Sequence, residues 1–467
     1  MRNIRPICGA VMFVILALAG WAKADDAFQQ GELAYKKGDL DLAITCFTEA
    51  IRLKPDSAKA YCARGCAYSS KRDRDKALAD FTEAIKLEPD YGRAYLNRGV
   101  AYVEKRELDK AIADYTEAIR LNPKLADVAY FRRAHTYEKK DDYDKAITDY
   151  TESIRLDPKH ANGYLDRGMA YQHKGELDKA VADCTRAIEL DPDRADAYFY
   201  RGLVYTAKRD WDKAIADFTA AIRFNPDNFY SYCARGDAYA SKGEPDKAIA
   251  DFTTVILLKP DEAKAYCGRG GAYADKEDLD QAIADLNKAI KLDSHDADAY
   301  LCRGGVFTAK GEPDKAIADF TVTIRLRPDD AKACFGRGLA YLNKEGWDSA
   351  IADFTEAIRL KPSYGYAYWH RGLAYLNKRN WDKTIADSSE AIRLGTKDAR
   401  VYNNRGLAYG NKGDQDKAIA DYNEAIRLDP KLAVAYFNRG KAYEKKGEKA
   451  KAAEDFAMAE KLGGKPK

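Results

Sequence analysis

The residues able to do chemistry are few and scattered. His135, Glu138 and His173 form the one grouping that resembles a metal site, and eight cysteines follow residue 24. A metal would need these side chains to converge from neighbouring helices, whereas a lone histidine on an amphipathic helix is ordinarily polar lining. No metal and no cofactor is therefore expected. Cys62 and Cys66 share a helix face at i, i+4 with parallel side chains. Cys233 and Cys267 occupy equivalent positions one repeat apart, on helices whose axes would stand about 8–10 Å from each other, too far for a disulfide. Cys46 and Cys184 fall on the stripe of a second helix, and all of these read as small apolar residues. The chain has no CxxC, no phosphate-binding glycine loop and no GxSxG elbow. Nothing here supplies a nucleophile with its base, and the protein is expected not to be an enzyme.

Two other residue types recur at fixed spacing. Arginine recurs at Arg64, Arg98, Arg133 and Arg167, and so on to Arg439, before a glycine except at Arg133, which precedes Ala134. Aspartate stands sixteen residues after each, at Asp80, Asp114, Asp149 and on to Asp455. Pairing them within a repeat leaves no orphan among twelve pairs, while pairing across repeats strands Arg64 and Asp455. A ladder of Arg–Asp bridges is expected; the alternative is that both are solvated surface charges of little energetic weight.

The frame for these positions is a repeat of 34 residues. Pro55, Pro89 and Pro123 are 34 apart, as are Pro158, Pro192, Pro226 and Pro260, and Pro328, Pro362 and Pro430 keep the spacing, with one extra residue near Ala126. Thirteen units result: 24–57, 58–91, 92–126, 127–160, 161–194, 195–228, 229–262, 263–296, 297–330, 331–364, 365–398, 399–432 and 433–466. Inside a unit, Tyr95, Gly99 and Tyr102, then Ala111, Tyr115 and Ala118, make two stripes of helical period divided by a charged turn. Lysine ends the first helix in every unit (Lys37, Lys71, Lys105, onward to Lys446), where a cation suits the helix dipole. The closing proline stops the second helix.

This pattern resembles the tetratricopeptide repeat family, a 34-residue helix–turn–helix with an aromatic, Gly, Tyr, Ala, Phe or Tyr, Ala and Pro at set places. The resemblance covers residues 25–466 and implies an all-α, right-handed superhelical α-solenoid of helix–turn–helix repeats, whose first helices line a concave groove. One unit cannot bury its own apolar face, so neighbours must stack. The family's groove positions turn apolar in units ten to twelve, which offer Phe335, Leu339, Leu342, then Tyr366, Trp369, Leu373, Leu376, then Leu407, with Asn343, Asn377 and Asn411 at 34-residue steps beside them. Asparagine can bond the backbone of an extended peptide as donor and acceptor. The competing reading covers these leucines with adjacent helices. Units seven to nine offer small or short residues instead, among them Cys233, Asp237, Gly271 and Gly305. A clamp for a C-terminal carboxylate is not recognisable.

Length and charge fit a binding protein. Of 467 residues 33% are charged and 46% hydrophobic, with 78 Lys and Arg against 75 Asp and Glu. A neutral body argues against nucleic acid as the main partner. Residues 1–24 read as a signal peptide: Arg2 and Arg5, an apolar run over 7–20, then Ala22-Lys23-Ala24 as a cleavage site. The protein is thus expected to be exported, to periplasm or medium, with protein or peptide partners. Contact with a membrane is expected only if the N-terminal segment is retained as an anchor, which would make the chain a tethered assembly factor. A hydrolase or carbohydrate-binding protein would need acid pairs or aromatic platforms converging in the groove.

Overall fold

The computed structural model describes residues 22–463, and all but residues 22–24 of the segment expected to be a signal peptide lie outside that range. Twenty-six α-helices and no strand occur among the described residues. The chain packs as two compact bodies, residues 1–231 and 232–467. In each, helices follow one another as antiparallel pairs, forming an all-α helical-repeat solenoid. A helix at 22–36 opens the first body, with Ala24 of the expected cleavage site buried in its first turn.

Most pairs form around an aromatic of the second helix that enters a gap left by glycine. A Cβ on Gly65 would lie 2.7 Å from the Phe81 ring, so only glycine admits the contact. Phe47, Phe81, Tyr115, Phe218, Phe252 and Phe354 are buried in this way, while Tyr150 is buried in a unit that has Ala134 at the glycine place. The turn between the two helices has the same form throughout. The residue after the capping lysine sits in the left-handed region, whether glycine, as at Gly175, or not, as at Arg72 with φ 62°.

The Arg–Asp ladder is present in full. In all twelve pairs Nε and Nη2 of the arginine donate to the two aspartate oxygens, at 2.7–2.9 Å. The aspartates are buried, which overturns the solvated-charge alternative. Each arginine also has a third arm. Nη1 of Arg64 donates to Thr48 of the preceding unit at 3.1 Å, and Arg201 to Thr185 at 3.0 Å. Tyrosine rings flank the guanidinium, Tyr61 and Tyr68 lying 5.5 and 6.0 Å from that of Arg64. Lys76 in turn sits 5.4 Å from the Tyr68 ring. The 32 tyrosines of the chain thus have a physical role beyond filling space.

The terminal lysines do more than face a dipole. Lys105 bridges to Asp75 of the preceding unit at 2.7 Å, and Lys71–Asp41, Lys174–Asp144 and Lys446–Asp416 repeat the contact. These pairs are exposed on the aspartate side, so solvent screening leaves each of them little weight.

Unit eleven departs from the pattern. Ser388 holds the aromatic place, fully buried with a hydroxyl that has no partner, and Thr384 holds that of alanine. Its second helix does stop cleanly: Gly395 at φ 87° lets the Thr396 N–H reach the Ala391 carbonyl at 3.0 Å. Cys46 also differs from expectation. It takes the aspartate place in unit one and is only half-buried, whereas Cys184 takes the aromatic place and is core.

Replacing Asp217 with Ala should destabilise the first body by about 3 kcal/mol, since it leaves the Arg201 guanidinium largely desolvated and unpaired. An apolar pair at both positions should recover most of that loss in thermal unfolding. Equal, near-zero effects would show that the ladder carries no weight. In hydrogen exchange, amides of 382–394 should be less protected than those of 348–360, because repeat arrays are held by nearest-neighbour contacts and unit eleven lacks its aromatic.

Candidate functional site

Five of the eleven groove candidates meet. Phe335, Leu339, Tyr366, Trp369 and Leu373 line a cavity of about 640 Å³ on the first helices Ala331–Asn343 and Gly365–Asn377. The helix Ala399–Asn411 adds Arg400, Asn403 and Asn404, and Leu432 and Val434 close one side. Tyr366 and Val434 are exposed at the rim.

Trp369, one of the groove candidates, is 5% exposed and packs on Ala391 and Val401. Its position explains this. At the equivalent place Phe335 lies 5.6 Å from the Phe354 ring of its own unit. Unit eleven offers Ser388 there instead, and the indole extends to Val401 of unit twelve. It lines the cavity as wall, with its Nε1–H buried and without an acceptor. Arg400 covers the ring at 4.8 Å, held by Asp398 through two bonds of 2.9 and 2.6 Å.

The polar groups around the indole are neutral or already paired. His370 Nδ1 donates to the Tyr366 carbonyl at 2.8 Å, and burial lowers its pKa below the usual value, which leaves Nε2 an acceptor. Asn403 accepts from Asn438 at 3.0 Å, and Asn404 is buried beside it. An apolar wall with one orphaned donor and a few amides suits a bulky apolar group next to a hydrogen-bond acceptor.

The other candidates do not join the cavity. Leu342, Leu376 and Leu407 are half-buried by neighbouring helices. Asn343, Asn377 and Asn411 are exposed, but Asn377 and Asn411 already donate to the Leu373 and Leu407 carbonyls of their own helices, at 2.9 and 2.8 Å. Each of these two amides keeps its second N–H and its carbonyl oxygen for a partner. Sequence reasoning missed His370, Arg400, Asn403 and Asn404. The available signal was a register of 35, since residues at i and i+35 of successive first helices touch, as in Phe335–His370 and Asn403–Asn438. In units eight and nine, Gly271 and Gly305 face open space.

The suspected metal cluster is a salt-bridge knot. His135 Nε2 lies 3.0 Å from Asp166 and Nδ1 3.3 Å from Glu138, which also accepts from the Tyr150 hydroxyl at 2.7 Å. His173 instead stacks on Tyr143 at 4.8 Å. No group of three or more His, Cys, Asp or Glu that could hold a metal ion occurs among the described residues. Burial of His135 disfavours its charge, but the bonds to Asp166 and Glu138 outweigh that and raise its pKa to about 9. A folded value above that of the unfolded chain stabilises the fold below pH ~6.5 and loses that contribution as pH rises through about 9. Denaturant midpoints should therefore fall between those limits, and His135→Gln should flatten the slope.

Paired helices, stacked one repeat on the next with an aromatic in most glycine gaps, define a helical-repeat scaffold. Segments 31–71, 202–243, 270–311 and 411–447 match a family described as TPR repeat. Families described as tetratricopeptide repeat match 62–126 and 335–399, 134–204, and 229–262 with 433–462. The chain belongs to the tetratricopeptide repeat family, a scaffold fold of protein–protein interaction. No curated protein matches the sequence. Among solved structures, it is similar to the APC/C hetero-tetramer Cut9–Hcn1 (16% identity, TM-score 0.49, covering 90% of this chain and 96% of that one). Yeast Tom70 gives 18% identity and TM-score 0.43, over 88% and 98%. MamA gives 32% identity and TM-score 0.31, over 34% and 94%.

Proposed function

We propose that this protein is an exported, non-enzymatic scaffold that binds an extended peptide segment of a protein partner across the first helices of units ten to twelve. A bulky apolar side chain of that segment enters the Trp369 cavity, and a neighbouring peptide carbonyl accepts the indole N–H. The buried, unpartnered Nε1–H of Trp369 carries this reading. A donor left without an acceptor costs about 1–3 kcal/mol, which a bound carbonyl would restore. Desolvated aromatic walls dominate interface energies, and Trp369 and the half-buried Phe335 provide them, with Tyr366 at the rim. Export rests on the arginines, apolar run and small-x-small site of residues 1–24.

The test is a peptide-display selection on the protein lacking residues 1–24, followed by affinity measurement. Enriched peptides should share one bulky apolar residue. Leu373→Asp, on a half-buried wall, should weaken them at least tenfold with little change in thermal unfolding. Trp369→Phe keeps the ring and removes the N–H, so it should cost about one hydrogen bond, roughly five- to tenfold. Trp369→Ala is a poor reporter, because emptying a core position costs about 3–5 kcal/mol of stability. Selected peptides that bind Leu373→Asp as tightly as the parent would place recognition elsewhere.

A further inference from the structure

A second cavity, of about 440 Å³, lies in the first body between the helices of units one to three. Two thiols stand on its wall. Cys62 and Cys66 project from the first helix of unit two (Ala58–Ser70), one turn apart, and both line the cavity. Asn97, from the first helix of unit three (Gly92–Glu104), points its amide nitrogen at both sulfurs, 3.2 Å from Cys66 and 3.6 Å from Cys62. Arg93, on the same helix, lines the cavity with its positive charge near the pair. Phe28 and Phe47 form the apolar side. Cys62 also packs in the core with Ala77 and Phe81, but the proposed peptide site uses none of these residues.

We infer that Cys62 and Cys66 form a two-coordinate site for a soft monovalent cation, copper(I). Thiolates select soft ions, and a linear two-sulfur geometry asks for no third ligand. Zinc, calcium and magnesium need three or more protein donors or a shell of oxygens, and no such group occurs among the described residues. Binding replaces two S–H bonds with two Cu–S bonds. Both protons pass to solvent, and no electron is transferred. The resulting bis-thiolate carries one negative charge, which Arg93 balances, while the Asn97 N–H groups donate to the sulfurs and fix their orientation as outer-shell partners do. The aromatic side of the cavity keeps water from competing for the ion.

The experiment adds copper(I) bicinchoninate anaerobically to the protein lacking residues 1–24 and measures copper retained per chain against excess chelator. X-ray absorption reports the coordination number. One retained equivalent with two sulfur ligands is expected. Cys62→Ser and Cys66→Ser should each abolish retention, Asn97→Ala should weaken it about tenfold, and Cys267→Ser should leave it unchanged. Cys66 is the less buried of the two, so Cys66→Ser keeps the test valid if Cys62→Ser unfolds, and circular dichroism identifies that case. Retention unaffected by Cys66→Ser, loss of the equivalent in Cys267→Ser, or a third sulfur in the coordination shell would overturn the assignment.

Discussion

Each ladder arginine holds three parts of the chain at once. Two of its nitrogens fix the aspartate sixteen residues on, closing its own unit, and the third reaches a hydroxyl or amide of the unit before. A planar fork with bidentate geometry does this where a lysine could not, because the ammonium is a point charge without fixed directions. Burying the pair is tolerable only because every aspartate oxygen is met and tyrosine rings cover the guanidinium faces. Unit one carries Gln30 and Cys46 in place of the pair.

With that frame repeated, variation is free to accumulate on the first-helix face. The place after the aromatic is both core and lining: Phe335 stacks inward on Phe354, while Cys62 and Trp369 each border a cavity. Both cavities arise where the standard filling is altered. In unit eleven Ser388 offers no ring for Trp369 to meet. In unit two the place after Tyr61 holds a thiol, where unit three has Leu96. A repeat array thus makes local sites by departing from its own consensus, and each departure stays local because contacts extend only to neighbours.

Electrostatics divides into a buried and an exposed set. The arginine ladder and the His135 knot are desolvated and positional, and their weight comes from the cost of leaving one partner alone. The Lys–Asp pairs between units are numerous and weak, and salt screens them.

Much of this was legible in the sequence. Prolines at 34-residue steps gave the period, and the count of arginines against aspartates gave the pairing, because a repeat exposes any fixed contact as a fixed spacing. The glycine–aromatic contact followed from side-chain size alone. What sequence could not decide was anything that depends on the offset between neighbouring units. Equivalent residues lie 34 apart, but first helices touch at i and i+35, so Phe335 meets His370 and Asn97 meets Cys62. Stacking also sets Arg201 against Thr185 of the unit before and buries Trp369 against Val401 of the unit after. The period is a property of the chain, whereas the offset is set by how two packed surfaces interlock in three dimensions.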